Sequence, residues 1–311
     1  MKQKALGKSG LLVSELSFGA SSLGGVFHEV DETEAIATVQ AALDAGVTYF
    51  DVAPAYGGGR AEIVLGKALK GVDRSSFRLS TKVGKYTDPA RYGCDTLDYS
   101  EARIRRSLDE SARALGTEYF DIVHLHDFEY LGRTHTEWAL EEGLRTLDAL
   151  KAEGRIGAVG VGIYPVDLWH RILSGVTIDV ALIHNHHCLS DTRLLDLIPL
   201  ADNKGVGVIN ASPFASGLLT DRGAPAWHPA DKGQREVFRR AAEFCANAGT
   251  SLAKLAFQFS SQNARIPTTM FSTANRESLR RNLEWHDEPF EPSLVAEVQS
   301  ILLPVTNVDW F

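Results

Sequence analysis

The 311-residue chain is 44% apolar and 23% charged, with a net charge of −8, the make-up of a globular protein with a sizeable core. The acidic balance, without any Lys/Arg block, argues against nucleic acid or an anionic membrane as partner. No apolar run approaches the ~18 residues of a membrane span and no signal-peptide core opens the chain.

Three isolated cysteines (Cys94, Cys188 and Cys245) form no paired framework, so idle thiols in a reducing, cytoplasmic setting are expected. In chain order, residues 4–13 place turn residues between short apolar runs and predict a small hairpin that closes something. Residues 16–19 read as a first buried strand. Asp31 with Glu34 three residues on suggests a capping box, and Ile36, Val39, Ala42 and Leu43 carry the helix to Gly46. The run 47–50 reads as a strand that ends on Asp51, and Glu62 opens a helical pattern with Leu65 and Leu69.

The alternation continues. Strands are predicted at 77–82, 120–126, 156–161, 178–183, 206–209 and 264–269. Between them come a helix capped by Ser100 and ended by Gly116, and one bearing Leu140, Leu144, Leu147 and Leu150 and ended by Gly154. Further helices fall near 167–174 and 191–204, and a last one at 251–262. Eight strand–helix alternations without a break in composition favour one closed parallel barrel domain, residues 1–311, over an open sheet. Gly57-Gly58-Gly59 lacks the G-x-G-x-x-G spacing that an open dinucleotide-binding sheet carries. The fold class is therefore α/β, a (β/α)8 TIM barrel with a short N-terminal hairpin. Its longest loops, 83–99, 127–137 and 211–235, follow strands and gather on one face, where a site is expected.

Four polar residues fall at or just past strand ends: Asp51, Tyr56, Lys82 and His126. A phenol titrating near 10 is a poor acid–base catalyst at neutral pH, and an ammonium beside it favours the phenolate. Asp51 would hold Lys82, His126 would bond a substrate oxygen, and Tyr56 would move a proton. His124 pairs with His126 on one strand face, and His184, His186 and His187 cluster after the sixth strand. Neither group is completed by Cys, Asp or Glu at ligand spacing, so no metal is expected.

These residues carry a resemblance. Asp51-Val-Ala-Pro-Ala-Tyr56, Ser80-Thr81-Lys82 and Asp121-Ile-Val-His-Leu-His126 stand in the order and spacing of the signatures of aldo-keto reductases, which the chain resembles over essentially its full length. The resemblance implies Asp51, Tyr56, Lys82 and His126 as a catalytic tetrad with Tyr56 as the proton-transfer residue. It also implies a nicotinamide dinucleotide lying extended across the barrel mouth. Its pyrophosphate would run along Ser212, Pro213, Phe214, Ser216, Gly217 and Leu218, where small residues let N–H groups approach an anion. Its adenosine end would meet Ser272, Thr273, Asn275, Arg276 and Asn282. The family's usual basic positions fall on Ser272, Ala274 and Ser278, which implies NAD, with Arg276 keeping NADP as the alternative.

Within the family the chain is most similar to the sugar 1-dehydrogenases that act on L-galactose, L-fucose or D-threo-aldoses, through 18–24, 126–129, 211–219 and 226–229. That branch oxidises the anomeric hydroxyl of a pyranose to a lactone, which makes Tyr56 a general base. Asp127 and His186 are then expected to meet sugar hydroxyls, and Trp227 the apolar face of the ring. The family's Ser-Asn pair after the fifth strand is replaced by Gly162-Ile163, and a stacking Tyr by Ala211. Phe18 and Asn210 are the candidates to orient the nicotinamide instead. Two rival readings are an NADPH-preferring reductase of small aldehydes and a cofactor-binding regulatory subunit of a channel, the second opposed by the intact tetrad. Oligomeric state is not encoded legibly, and the family suggests a monomer.

Overall fold

The computed structural model describes residues 1–26, 29–87 and 95–311; Cys94 and part of the predicted 83–99 loop lie outside them. An antiparallel hairpin, β1 (Gln3–Ala5) and β2 (Leu12–Ser14), precedes β3 (Leu16–Gly19), α1 (Glu32–Asp44), β4 (Tyr49–Asp51), α2 (Arg60–Leu69) and β5 (Arg78–Val83). A second hairpin, β6 (Lys85–Thr87) and β7 (Asp95–Leu97), occupies the loop before α3 (Glu101–Leu115) and β8 (Phe120–His126). Then α4 (Thr136–Trp138) runs through one π turn, Ala139–Gly143, into α5 (Leu144–Ala152), followed by β9 (Ile156–Ile163), α6 (Val166–Gly175) and β10 (Val180–His184). The chain continues with α7 (Leu194–Lys204), β11 (Gly207–Ala211), α8 (Lys232–Asn247), α9 (Leu252–Ser261), β12 (Thr268–Ser272), α10 (Arg276–Asp287) and α11 (Pro292–Leu302).

Eight strands close into a parallel barrel in chain order, β3-β4-β5-β8-β9-β10-β11-β12 and back to β3. This is the (β/α)8 barrel that the alternating pattern predicts. Alternation along each strand divides the residues between two cores. Inward residues Tyr49, Ile122, Ala158, Val180, Leu182, Ile209, Ala211 and Met270 fill the barrel, and Leu6 and Val13 of the N-terminal hairpin plug its lower end. Outward residues such as Leu79, Val123, Val159 and Ala181 pack against the helices.

Several helix starts are set by one short polar side chain. Asp31, Ser100, Asp231, Ser251 and Asn275 each accept the backbone N–H three residues on. The reciprocal capping box forms at Asp231 and Gln234. At Asp31 only half of the expected box forms, because Arg276 takes the Glu34 carboxylate instead. The expected last strand at 264–269 begins four residues late. Asn263 holds a turn by accepting the Arg265 N–H through its side chain and the Ile266 N–H through its carbonyl, and Pro267 has no N–H for a ladder. Three helices escape the pattern: α8, α10 and α11. α8, α9 and α11 form a separate cluster in which Val237, Phe238, Val298 and Leu302 support Ala215, Leu218 and Leu219 from below. Cys188 and Cys245 are buried free thiols in this cluster.

Candidate active site

The polar inward positions crowd at the C-terminal end of the barrel, where active sites of this architecture sit. Asp51 ends β4, and its register partner on β5 is Ser80, with Lys82 two residues on and on the same face. Lys82 is 1% exposed; its ammonium forms an ion pair with Asp51 Oδ2 and donates to the Val52 carbonyl at 3.1 Å. The other Asp51 oxygen accepts from Ser80 Oγ at 2.7 Å, and the Tyr49 hydroxyl lies 2.9 Å from Ser80. Both carboxylate oxygens are thus committed, which is what makes a buried ion pair tolerable. Sequence reasoning missed this Tyr49–Ser80 support, although strand alternation places both on the inner face.

Tyr56 enters from the loop after β4. Its ring lies edge-on to His126, with centroids 5.8 Å apart, and the Lys82 nitrogen sits 4.8 Å from its centroid. The loop is pinned by a close backbone contact. A Cβ on Gly57, which has φ +62°, would meet the Gly24 carbonyl oxygen at 2.1 Å, so only glycine fits. His126 ends β8, where the Tyr99 hydroxyl donates to its carbonyl at 2.6 Å.

Burial fixes the protonation states. It raises the Tyr56 phenol above its ordinary value; Lys82 opposes the rise, and Asp51 and Asp127 add to it. The expected net lowering by Lys82 is therefore reversed, because desolvation outweighs the ammonium. Burial alone would lower Lys82, but Asp51 and Tyr56 overcome it and the ammonium is held more firmly than usual. Burial lowers His126 to about 3 against the pull of Asp127, leaving a neutral imidazole. The site thus offers a protonated phenol, a fixed positive charge and a neutral donor.

Asp127 follows β8 with a left-handed backbone (φ +50°), and its N–H bonds the Gly162 carbonyl. Its Oδ2 is 2.7 Å from Lys85 Nζ and 3.5 Å from His126 Nε2. Although burial works against ionisation, the Lys85 ammonium beside it keeps the Asp127 carboxyl below its ordinary range. Lys85 lies in the 83–99 loop with no sequence signal to mark it. Next in line, Glu129 accepts the Tyr164 N–H at 2.8 Å, and burial, reinforced by Asp127, raises its carboxyl to about 8.

His186 differs from expectation. It is fully buried, with Nε2 2.6 Å from the Tyr164 carbonyl and Nδ1 3.0 Å from Asp191. Neither ring nitrogen is left for a sugar hydroxyl; the ring ties β9's exit to the Asp191–Arg193–Asp309 ion pairs. Trp227 is 55% exposed and lies 6.5 Å from Phe311, which packs edge-on against Tyr164, itself 5.4 Å from His184. This aromatic row leads from the rim to the end of β10. Phe18 and Asn210, the expected orienting residues, both point out of the barrel. Phe18 packs on Phe50 and Phe271, and Asn210 Nδ2 reaches the His187 carbonyl at 3.2 Å. Each stands one residue out of phase with the inward set. Among the described residues, no group of three or more His, Cys, Asp or Glu is placed to hold a metal ion.

The residues expected to meet a dinucleotide leave from the neighbouring strands β11 and β12. Ser212 (φ +64°) turns the chain, and Pro213 leads to Phe214 (φ −97°), followed by Ala215 (φ +47°), Ser216 (φ +53°) and Gly217 (φ +98°). These dihedrals make a tight turn in which the Ala215, Gly217 and Leu218 N–H groups donate to the Ser212, Phe214 and Ala215 carbonyls. Asn185 Nδ2 donates to Ser216 Oγ at 3.2 Å, and Leu218 is buried beneath the loop. At β12, Ser272 accepts the Ser22 N–H at 2.9 Å, Thr273 bonds the backbone of Asn275, and Asn275 caps α10. Arg276 is the first residue of α10, and Asn282 is buried on its inner side. Hydroxyls, amides and a guanidinium line this side of the mouth, the chemistry that a dinucleotide's riboses and phosphates call for, although the Arg276 guanidinium is already paired with Glu34.

The fold and this constellation define an oxidoreductase of a known class. The aldo/keto reductase family model matches residues 15–303, and the chain belongs to that family, whose members use NAD(P)(H). It is 38% identical to an L-galactose dehydrogenase of Arabidopsis thaliana, over 99% of this chain and 96% of that one. It is 29% identical to a D-threo-aldose 1-dehydrogenase of a Pseudomonas species, over 97% and 98% respectively. Among solved structures it is similar to an aldo-keto reductase of Bacillus halodurans in its holo form, with TM-score 0.79 and 27% identity over 100% of this chain and 98% of that one. Among the described residues, no helix is long and apolar enough to cross a membrane.

Proposed function

We propose that this protein is an NAD-dependent aldose 1-dehydrogenase that oxidises the anomeric hydroxyl of L-galactose or L-fucose to the lactone. The observation that carries the reading is the convergence of Tyr56, Lys82 and His126 at the barrel mouth. Similarity to an L-galactose and a D-threo-aldose dehydrogenase supports the sugar as substrate class. When bound, the oxidised nicotinamide supplies a hydride acceptor.

The chain's own residues do the rest. Once Tyr56 has released its own proton to solvent, its phenolate, stabilised by the Lys82 ammonium, takes the proton of the C1 hydroxyl. Asp51, held by Ser80 and Tyr49, keeps Lys82 in place. Neutral His126 donates to the reacting oxygen and fixes it near Tyr56. Asp127, charged and just past the end of β8, accepts from sugar hydroxyls, and exposed Trp227 offers a flat apolar face. His186 supports Tyr164 from within and takes no part in contact with the sugar.

The test is an absorbance assay at neutral to alkaline pH, offering NAD and NADP in turn with L-galactose, L-fucose, D-arabinose and D-glucose. Rapid NADH formation with one L-sugar is the expected result. No reaction with any sugar, together with NADPH consumption by simple aldehydes, would replace this reading with that of a carbonyl reductase.

A further inference from the structure

We propose that Glu34 sets the cofactor preference by excluding a 2′-phosphate from the adenosine end of the site. This inference rests on the reading that the segment 272–282 receives that end of the dinucleotide.

Glu34 lies in the first turn of α1, and its carboxylate crosses to α10. Its Oε1 accepts the Arg276 backbone N–H at 2.9 Å, and the Arg276 guanidinium grips it through Nε at 3.1 Å and Nη2 at 2.9 Å, both to Oε2. These contacts hold the carboxyl below its ordinary range, so it is ionised at neutral pH. The guanidinium that would meet a 2′-phosphate is therefore already paired with an anion of this chain. The neighbouring Ser272 donor is committed as well: its hydroxyl donates to Ser22 Oγ at 2.8 Å, while Asn275 Oδ1 accepts the Ser278 N–H at 2.9 Å.

A phosphate entering here meets a fixed carboxylate at close range and must displace it from Arg276, a like-charge juxtaposition that interfaces use to reject wrong partners. A free ribose 2′-hydroxyl meets the same carboxylate as a hydrogen-bond acceptor, the arrangement that selects NAD in other folds. Sequence reading passed over Glu34 because its place three residues after Asp31 reads as one half of a helix cap. The cap it fails to complete is the sign of its other engagement.

The experiment is equilibrium titration of the full chain with NADH and with NADPH, followed by the fluorescence of the bound nicotinamide. The parent should bind NADH at least about tenfold more tightly than NADPH. Glu34→Gln, which keeps the shape and removes the charge, should tighten NADPH by about tenfold and leave NADH within a few-fold, closing the gap. Glu34→Gln/Arg276→Ala should lose that gain, because the freed guanidinium is what grips the phosphate. An unchanged NADH-to-NADPH ratio in Glu34→Gln, in a parent that binds NADH, would overturn this proposal alone. A parent that prefers NADPH would also overturn it. Failure of the parent to bind either dinucleotide would overturn it together with the cofactor reading on which it rests.

Discussion

Lys82→Met removes the ammonium that lies 4.8 Å from the Tyr56 ring centroid. A unit charge at that separation is worth roughly 3 kcal/mol at an effective dielectric constant of about 20. That corresponds to about a hundredfold in the fraction of phenolate at any pH below the phenol's titration. Turnover in the oxidative direction should therefore fall by about a hundredfold near neutral pH. It should then recover by about tenfold per pH unit as the medium becomes alkaline. The variant also leaves Asp51 without its countercharge, and Asp51 already opposes ionisation of Tyr56. Asp51→Asn/Lys82→Met removes that second effect and should be the more active of the two variants. The assay is NADH formation from L-galactose at saturating NAD across the alkaline range, with cofactor affinity titrated separately. A pH profile superimposable on the parent's, with the loss confined to KM for the cofactor, would refute the coupling between Lys82 and Tyr56.

The Tyr56 loop and the buried histidines give two further predictions. Gly57→Ala forces a Cβ to within 2.1 Å of the Gly24 carbonyl oxygen at a left-handed backbone position. It should cost about 1–3 kcal/mol of unfolding free energy in denaturant and lower turnover by displacing Tyr56. Parent-like stability with full turnover would contradict this. Stability should also fall in acid. Burial lowers His126 to about 3 and His187 to about 4, whereas both titrate near 6.5 in the unfolded chain. As pH drops below about 6.5 the unfolded chain takes up protons that the folded chain refuses, at a cost of about 1.4 kcal/mol per pH unit per histidine. His184 and His228, each lowered to about 4 with burial as the main cause, act in the same direction. Glu62 and Glu129, raised by burial to about 7 and about 8, act in the opposite direction but are outnumbered. Denaturant unfolding of the parent and His187→Gln from about pH 7 to 5 should give a shallower slope for the variant; parallel slopes would rule the mechanism out.

The barrel was legible because each inner strand is a short apolar run, and each helix between them repeats its apolar residues at helical spacing. Asp51, Lys82 and His126 were legible for a related reason. Strand alternation carries a polar residue at the end of an apolar run to the mouth of the barrel. The same alternation explains the misplacement of Phe18 and Asn210, which sit one residue out of phase and face the helices. α10 went unseen because only Leu279 and Asn282 are buried on it, too little for a periodic pattern. α8 carries a buried series of Val237, Phe238, Ala241 and Cys245, but it begins inside a stretch whose turn residues read as a long loop. The direction of the Tyr56 shift could not be read from residue types, since it depends on how much water the fold removes from the phenol. His186 and Glu34 show a related limit: Asp191 meets His186 through the local folding of the loop after β10, and Arg276 meets Glu34 only where the chain's two ends come together.

The most direct test uses L-galactose carrying deuterium at C1, incubated with NAD and either the parent or Tyr56→Phe. With the parent, the label should appear in NADH and the sugar product should be the lactone. Tyr56→Phe should transfer almost none while still binding NADH. Label retained on the sugar, or transfer at the parent's rate by Tyr56→Phe, would contradict removal of the C1 hydroxyl proton by Tyr56 as hydride leaves that carbon.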